Sequence, residues 1–332
     1  MDTNALSRLV EHQAGVVSRR QLVAHGASDN DITRLLRRRQ LARVGHGTYV
    51  THTGPLTRLQ REWVAVLRHH PAALSGVSAL AAWKVRGPWV HDERIHLLVD
   101  ESRRTDASPG VLLTRSQHYD RIARTDLSPP RVALEPAVLL AASSATTETS
   151  SIAVLADVCQ QRRTTPPRLR DALDLLPRLP GRRLFSTVLD DVASGAHSVL
   201  ERVYLRDVER AHGLPRAERQ VPIDRGAFGR RGRTWRDVEH REYGVVVELD
   251  GRLGHEWSSD RWQDLTRDLV TASRLEMTVR VGWGMVMAPC RLAAGVAAIL
   301  RARGWRGQPV ACGAGCTVGE WKELGGKHAP GA

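Results

Sequence analysis

Lysine is nearly missing from this sequence: of 49 basic residues only Lys84, Lys322 and Lys327 are lysines. Acidic residues number 36, so the formal net charge is +13 and the excess is almost all guanidinium. Arginine's planar fork matches phosphate oxygens bidentately, so a polyanionic partner is the first expectation, although a shortage of lysine can also reflect genome base composition. Long apolar runs are lacking too. None approaches the ~20 residues of a membrane-spanning helix, and Met1-Asp2-Thr3-Asn4 opens no signal peptide. A cytoplasmic chain with no membrane partner is expected. Cys159, Cys290, Cys312 and Cys316 are too few and too scattered for a disulfide framework. With two phenylalanines and four tyrosines, there is little material for the stacking platforms of RNA-binding modules.

What is present is ordinary globular material, 42% apolar and 26% charged. At 332 residues, two or three domains are expected. The pattern predicts an α+β multidomain chain. A winged helix-turn-helix would occupy 1–53, a mixed, mainly helical middle 54–195, an α/β domain 196–306, and a flexible glycine-rich tail 307–332. Near the N-terminus Ser18 can cap a helix that Gly26 stops. Ser28 and Asp31 then open a second helix. There Ile32, Leu35 and Leu36 form an apolar stripe, and Arg34, Arg37, Arg38 and Arg39 take the other faces. Residues Leu41 to Val50 read as two short strands around a glycine turn, a wing that carries Arg43. This helix-turn-helix logic predicts that the five arginines contact double-stranded DNA, mainly through phosphates.

In the final third, helices are expected over Ser198 to about His212 and Ser259 to Leu275, and strands near Thr234 to Val238, Tyr243 to Leu249 and Thr278 to Gly282. The strand Val245-Val246-Val247 runs into Glu248-Leu249-Asp250-Gly251. Side chains alternate along a strand, so Glu248 and Asp250 share one face. A hairpin with the preceding strand would bring Asp237 to the same edge. Three gathered carboxylates repel one another unless a hard divalent cation, Mg²⁺ or in its place Mn²⁺, neutralises them, and such a metal can activate water against a phosphodiester.

Residues 198 to 305, through Glu201, Asp237, Glu248-Leu249-Asp250-Gly251 and His255, resemble the very-short-patch-repair (Vsr)-like branch of the PD-(D/E)XK nucleases. The resemblance implies a restriction-endonuclease-like fold. It also implies a catalytic set of Glu201, Asp237, Glu248, Asp250 and His255, with metal held by Asp237, Glu248 and Asp250. The wider superfamily's lysine is replaced here by Asp250. About Ala5 to Val50 resembles the winged-helix domain of AbiEi-type antitoxins, a family of transcriptional repressors in type IV toxin-antitoxin systems, which implies a cognate toxin as a second partner.

Plainer readings stand beside these. Glu201 follows Ser198 at capping-box spacing, Asp237 can solvate a hairpin beside Arg236 and Glu239, and Asp250-Gly251 suits a type I′ turn. His255 can be an ordinary surface residue, and Asp260, Asp264 and Asp268 can pair with Arg261 and Arg267 on a helix face. Cys312 and Cys316, with Cys290 and His328, could be stretched into a zinc site, but a C-x-x-x-C in a glycine-rich tail is a weak signal. Two functions from different classes therefore remain: a Mg²⁺-dependent DNA endonuclease, and an antitoxin-like regulator whose nuclease fold is silent.

Overall fold

The computed structural model describes residues 3–87, 92–194, 198–223, 234–251 and 276–320. It is a mixed α/β structure that divides into two compact units, Met1–Thr147 with Gln161–Arg182, and Glu148–Gln160 with Arg183–Ala332. No helix among the described residues is long and apolar enough to cross a membrane.

The first unit opens with α1 (Thr3–His12), β1 (Val16–Ser18), α2 (Arg19–Ala24), α3 (Asp29–Arg37), β2 (Ala42–Gly45) and β3 (Thr48–Val50). The strands form a small antiparallel sheet in the order β1-β3-β2. This is the element order of a winged helix, with the wing at the β2–β3 turn. The start signals act as the sequence predicts: Ser18 and Gln21 close a capping box on α2, and Ser28 and Asp31 close one on α3. Gly26 takes φ +82 beyond the end of α2, where a left-handed residue satisfies the last carbonyls. Ile32 is buried in a core with Leu6, Val17, Leu22, Ala27, Leu41 and Tyr49, and Leu35 and Leu36 pack against it. Strand β1 escaped the sequence reading because three residues are too few to show a period of two.

The same unit continues through α4 (Arg58–Arg68), β4 (Ala73–Leu74), α5 (Gly76–Ala82), β5 (Ile95–Asp100), β6 (Val111–Ser116), α6 (Tyr119–Ile122), β7 (Ala123–Arg124), β8 (Arg131–Val132) and α7 (Leu134–Ser143). The mainly helical middle thus holds a five-stranded sheet, ordered β6-β5-β4-β8-β7. Three of its strands are two residues long and carry no readable alternation. Arg58 is a structural hub: it pairs with Glu62 at 3.0 Å and donates to the carbonyls of Asp92, Glu93 and Arg94 and to the Ser78 hydroxyl. Arg131 likewise lies over the Trp83 ring and donates to the carbonyls of Ser128 and Pro129. Part of the arginine excess therefore serves the fold and not a partner. Two further helices, α8 (Glu148–Gln160) and α9 (Pro166–Asp174), fall in the second and first units respectively.

In the second unit α10 (Arg182–Ser194) and α11 (Ser198–Val203) lead into a π-helix, Tyr204–Arg210. The single helix expected to about His212 is thus α-helical only to Val203. A four-stranded sheet follows among the described residues, in the order β12-β11-β10-β9, from β9 (Glu218–Ile223), β10 (Thr234–His240), β11 (Val245–Asp250) and β12 (Met277–Gly282). Strands β9 to β11 pair antiparallel, whereas β11 and β12 pair parallel. Asp250 lies in the extended strand β11 opposite Gly282, whereas a type I′ turn needs positive φ at both central residues, so the turn suggested for Asp250-Gly251 is excluded. Two helices, α12 (Trp283–Val286) and α13 (Pro289–Ala302), follow among the described residues.

Candidate nucleic-acid interface and carboxylate row

Apolar burial on one side of α3 leaves its other faces to solvent. Arg34, Arg37 and Arg38 are exposed there, with Arg39 just past the helix end and Arg43 on the wing strand β2. Residues 4–52 hold eight arginines against Glu11, Asp29 and Asp31, so this segment is cationic by itself. Two of the positive groups are already engaged. Arg34 pairs with Asp31 at 2.7 Å and Arg19 with Asp29 at 2.6 Å. The Asp31 carboxyl is held below the usual carboxylate range, first by the Ser28 hydroxyl and then by the Ser28 amide, so it stays charged to cap α3. Arg37, Arg38, Arg39 and Arg43 are thus the exposed cations best placed to meet phosphate.

In the second unit the carboxylates are laid out by the sheet. Strand β11 buries Val245, Val247 and Leu249, while Glu248 and Asp250 are half-buried on the opposite face. In the parallel pair Glu248 lies directly across from Arg280, and their side chains form an ion pair at 3.6 Å. Asp237 lies on β10, just past the last paired residues Val238 and Val247. Its carboxylate accepts the Leu249 amide at 2.7 Å, satisfying a backbone donor of β11 where the ladder to β10 has ended. On its other side, between the pairs Arg236–Val221 and Val238–Arg219, Asp237 faces Gln220 of β9. Gln220 takes φ 49, a left-handed conformation rarely adopted by a residue with a side chain, and donates its amide to the Glu201 carboxylate at 2.9 Å. One row across the sheet therefore runs Gln220, Asp237, Glu248, Arg280, with Glu201 of α11 at one end and Asp250 one pleat along.

The row brings together four of the five residues singled out for chemistry, and His255 lies outside the described residues. So do Asp260, Asp264 and Asp268. Gln220 and Arg280 were missed: an amide and one arginine among many carry no motif, and only strand register reveals them. As arranged, the carboxylates of Asp237, Glu248 and Asp250 do not converge as a metal-holding group among the described residues. Among the described residues Glu248 faces Arg280 and Asp237 accepts a backbone amide. Trp283 is buried and donates its indole N–H to the Gly251 carbonyl at 2.6 Å, which anchors the end of β11 and does not form a stacking surface.

Strand β10 also carries a buried polar cluster. Arg236 bridges Glu239, at 3.1 Å, and Glu276. His240 is 3% exposed, and neither ring nitrogen has a hydrogen-bond partner among the described residues. Burial, and then the nearby Arg219 guanidinium, lower its pKa to about 4.

Comparison with known proteins bears on the first unit. Residues 4–52 match the model of the AbiEi_4 family, described as a transcriptional regulator, AbiEi antitoxin. No curated protein matches the chain. Among solved structures, that of the RV2827C protein from Mycobacterium tuberculosis is similar at 19% identity, covering 60% of this chain and 78% of that one, with a TM-score of 0.38.

Proposed function

We propose that this protein is a double-stranded-DNA-binding transcriptional regulator of the antitoxin type, which presents α3 to the major groove and the β2–β3 wing to the adjacent backbone. The observation that carries the reading is the winged-helix order of elements with Arg37, Arg38, Arg39 and Arg43 exposed on the helix and wing. It coincides with the segment, residues 4–52, that matches the antitoxin regulator family. Phosphate contacts by these arginines give affinity and register, while sequence would be read by the remaining exposed side chains of α3. A cognate toxin is the second partner of this reading. The test is fluorescence anisotropy with duplex and single-stranded oligonucleotides, followed by selection of bound fragments from a random duplex pool. Preferential duplex binding that Arg37→Gln and Arg38→Gln weaken supports the proposal, and equal, weak binding to every nucleic acid sinks it.

A second reading, metal-dependent cleavage of DNA phosphodiesters, is favoured by the row of Glu201, Gln220, Asp237, Glu248 and Arg280 and by the strained backbone at Gln220. It requires Glu248 to leave Arg280 before the carboxylates can close on Mg²⁺ or Mn²⁺. Supercoiled, linear and mismatched DNA incubated with either metal decides the matter. Nicking by the wild type that Glu248→Ala abolishes supports the enzyme, and intact DNA under every condition leaves the regulator alone.

A further inference from the structure

The C-terminal segment, expected as a flexible tail from residue 307, folds back as far as Glu320. The Val310 amide donates to the His212 carbonyl at 2.9 Å. Gly213 makes this approach possible: it takes φ +61, and a Cβ there would meet Val310 at 3.3 Å. The fold-back brings together four side chains that neither candidate site uses. His212 lies just past the π-helix, Cys290 in the first turn of α13, and Cys312 and Cys316 in the loop before a 3₁₀ turn at Val318–Glu320.

The ligand atoms of these four residues all lie within 4.8 Å of one another. Cys290 Sγ and Cys312 Sγ are 3.7 Å apart, and Cys316 Sγ is 3.6 Å from His212 Nε2. A disulfide needs sulfurs about 2.05 Å apart, and all four cysteines are free thiols. A tetrahedral zinc ion with ordinary Zn–S and Zn–N bonds has edges of about 3.8 Å between sulfurs and about 3.6 Å from sulfur to nitrogen. The spacing is that of a ligand shell.

The histidine is prepared in the same sense. Its side chain is fully buried, and Nδ1 lies 3.2 Å from the Val208 carbonyl. A carbonyl can only accept, so Nδ1 carries the proton and Nε2 turns its lone pair toward the thiols, as in metal-bound imidazoles whose orientation is fixed by a hydrogen bond behind them.

We infer that His212, Cys290, Cys312 and Cys316 form a structural Zn²⁺ site that fastens residues 305–320 to the end of the π-helix and the start of α13. Four protein ligands leave no open position, so the role is structural and not catalytic. Binding releases the protons of the thiols, so affinity rises with pH. The donor set is soft, unlike the hard carboxylates of the sheet, and selects zinc over magnesium. The site stands independently of both functional readings. The C-x-x-x-C spacing was visible in the sequence, but its histidine was not: His212 lies far upstream, and His328, the partner suggested by proximity, lies outside the described residues.

The test uses the full chain purified under reductant without added metal. Elemental analysis is expected to find about one zinc per chain, and replacement of zinc by Co²⁺ to give the intense visible bands of a tetrahedral, thiolate-ligated ion. Cys312 is exposed, so Cys312→Ser is the variant least able to unfold the chain, and its zinc content should fall at least tenfold after dialysis against a mild chelator. Zinc-free protein that gives no cobalt bands when fully reduced overturns the inference, as does a Cys312→Ser variant that keeps its full zinc content.

Discussion

The salt dependence of DNA binding gives a quantitative test of the winged-helix surface. Each phosphate neutralised by an arginine releases condensed counterions, and the slope of log affinity against log salt steepens by about 0.9 per contact on duplex DNA. Arg37, Arg38, Arg39 and Arg43 are exposed, whereas Arg34 is held by Asp31 at 2.7 Å. Four contacts give a slope of about −3.6, so raising salt from about 50 to about 200 mM should weaken binding about 150-fold. Replacing the four arginines singly by glutamine should flatten the slope by about 0.9 each, whereas Arg34→Gln should change it by clearly less. Anisotropy titrations at four or five salt concentrations read this directly, with circular dichroism as the check that each variant is folded. A slope that the four substitutions leave unchanged refutes the assignment of this face, whatever the affinity.

Two further outcomes concern stability. His240 has a pKa of about 4 in the folded chain and an ordinary value of 6.5 unfolded, so its contribution is present above pH 6.5 and is lost as pH falls toward 4. Urea titrations at pH 7 and about pH 4.5 should differ by about 2 to 3 kcal/mol more for the wild type than for His240→Leu, and parallel pH profiles would exclude it. Gly15 takes φ +87, and a Cβ there would lie 2.7 Å from the Thr51 hydroxyl, so Gly15→Ala should cost about 1 to 3 kcal/mol in thermal unfolding of the first unit. An unchanged midpoint would show that the α1–β1 turn relaxes freely.

Legibility in the sequence followed the range over which each signal acts. Ser18, Ser28 and Asp31 were readable because a capping box is closed within three residues, and Ile32, Leu35 and Leu36 because helical period shows within two turns. The face shared by Glu248 and Asp250 followed from strand alternation alone. Pairing between strands is another matter. That Glu248 meets Arg280, that Gln220 meets Glu201, and that β11 and β12 run parallel depend on which strands become neighbours, and no local pattern encodes this. The two-residue strands β4, β7 and β8 were invisible for lack of length, and the π-helix at Tyr204–Arg210 because it has no distinctive composition.

The interleaving of the two units has a consequence for synthesis. Helix α8 emerges from the ribosome before α9, yet α9 completes the first unit while α8 belongs to the second. Ile152, Leu155 and Val158 of α8 end fully buried, and Gln160 packs beside Gly284 of α12. Gly284 is made long after α8, whereas Arg202 and Arg206, which pair with Glu148 at the start of that helix, are made sooner. At usual elongation rates Gln160 must wait about 6 to 25 s for Gly284. During that interval the nascent chain holds every element of the first unit, interrupted by a helix that belongs to the second. For the same reason no single cut separates the units: a fragment ending after Arg182 carries α8 without its core, and one beginning at Arg183 has a core without α8.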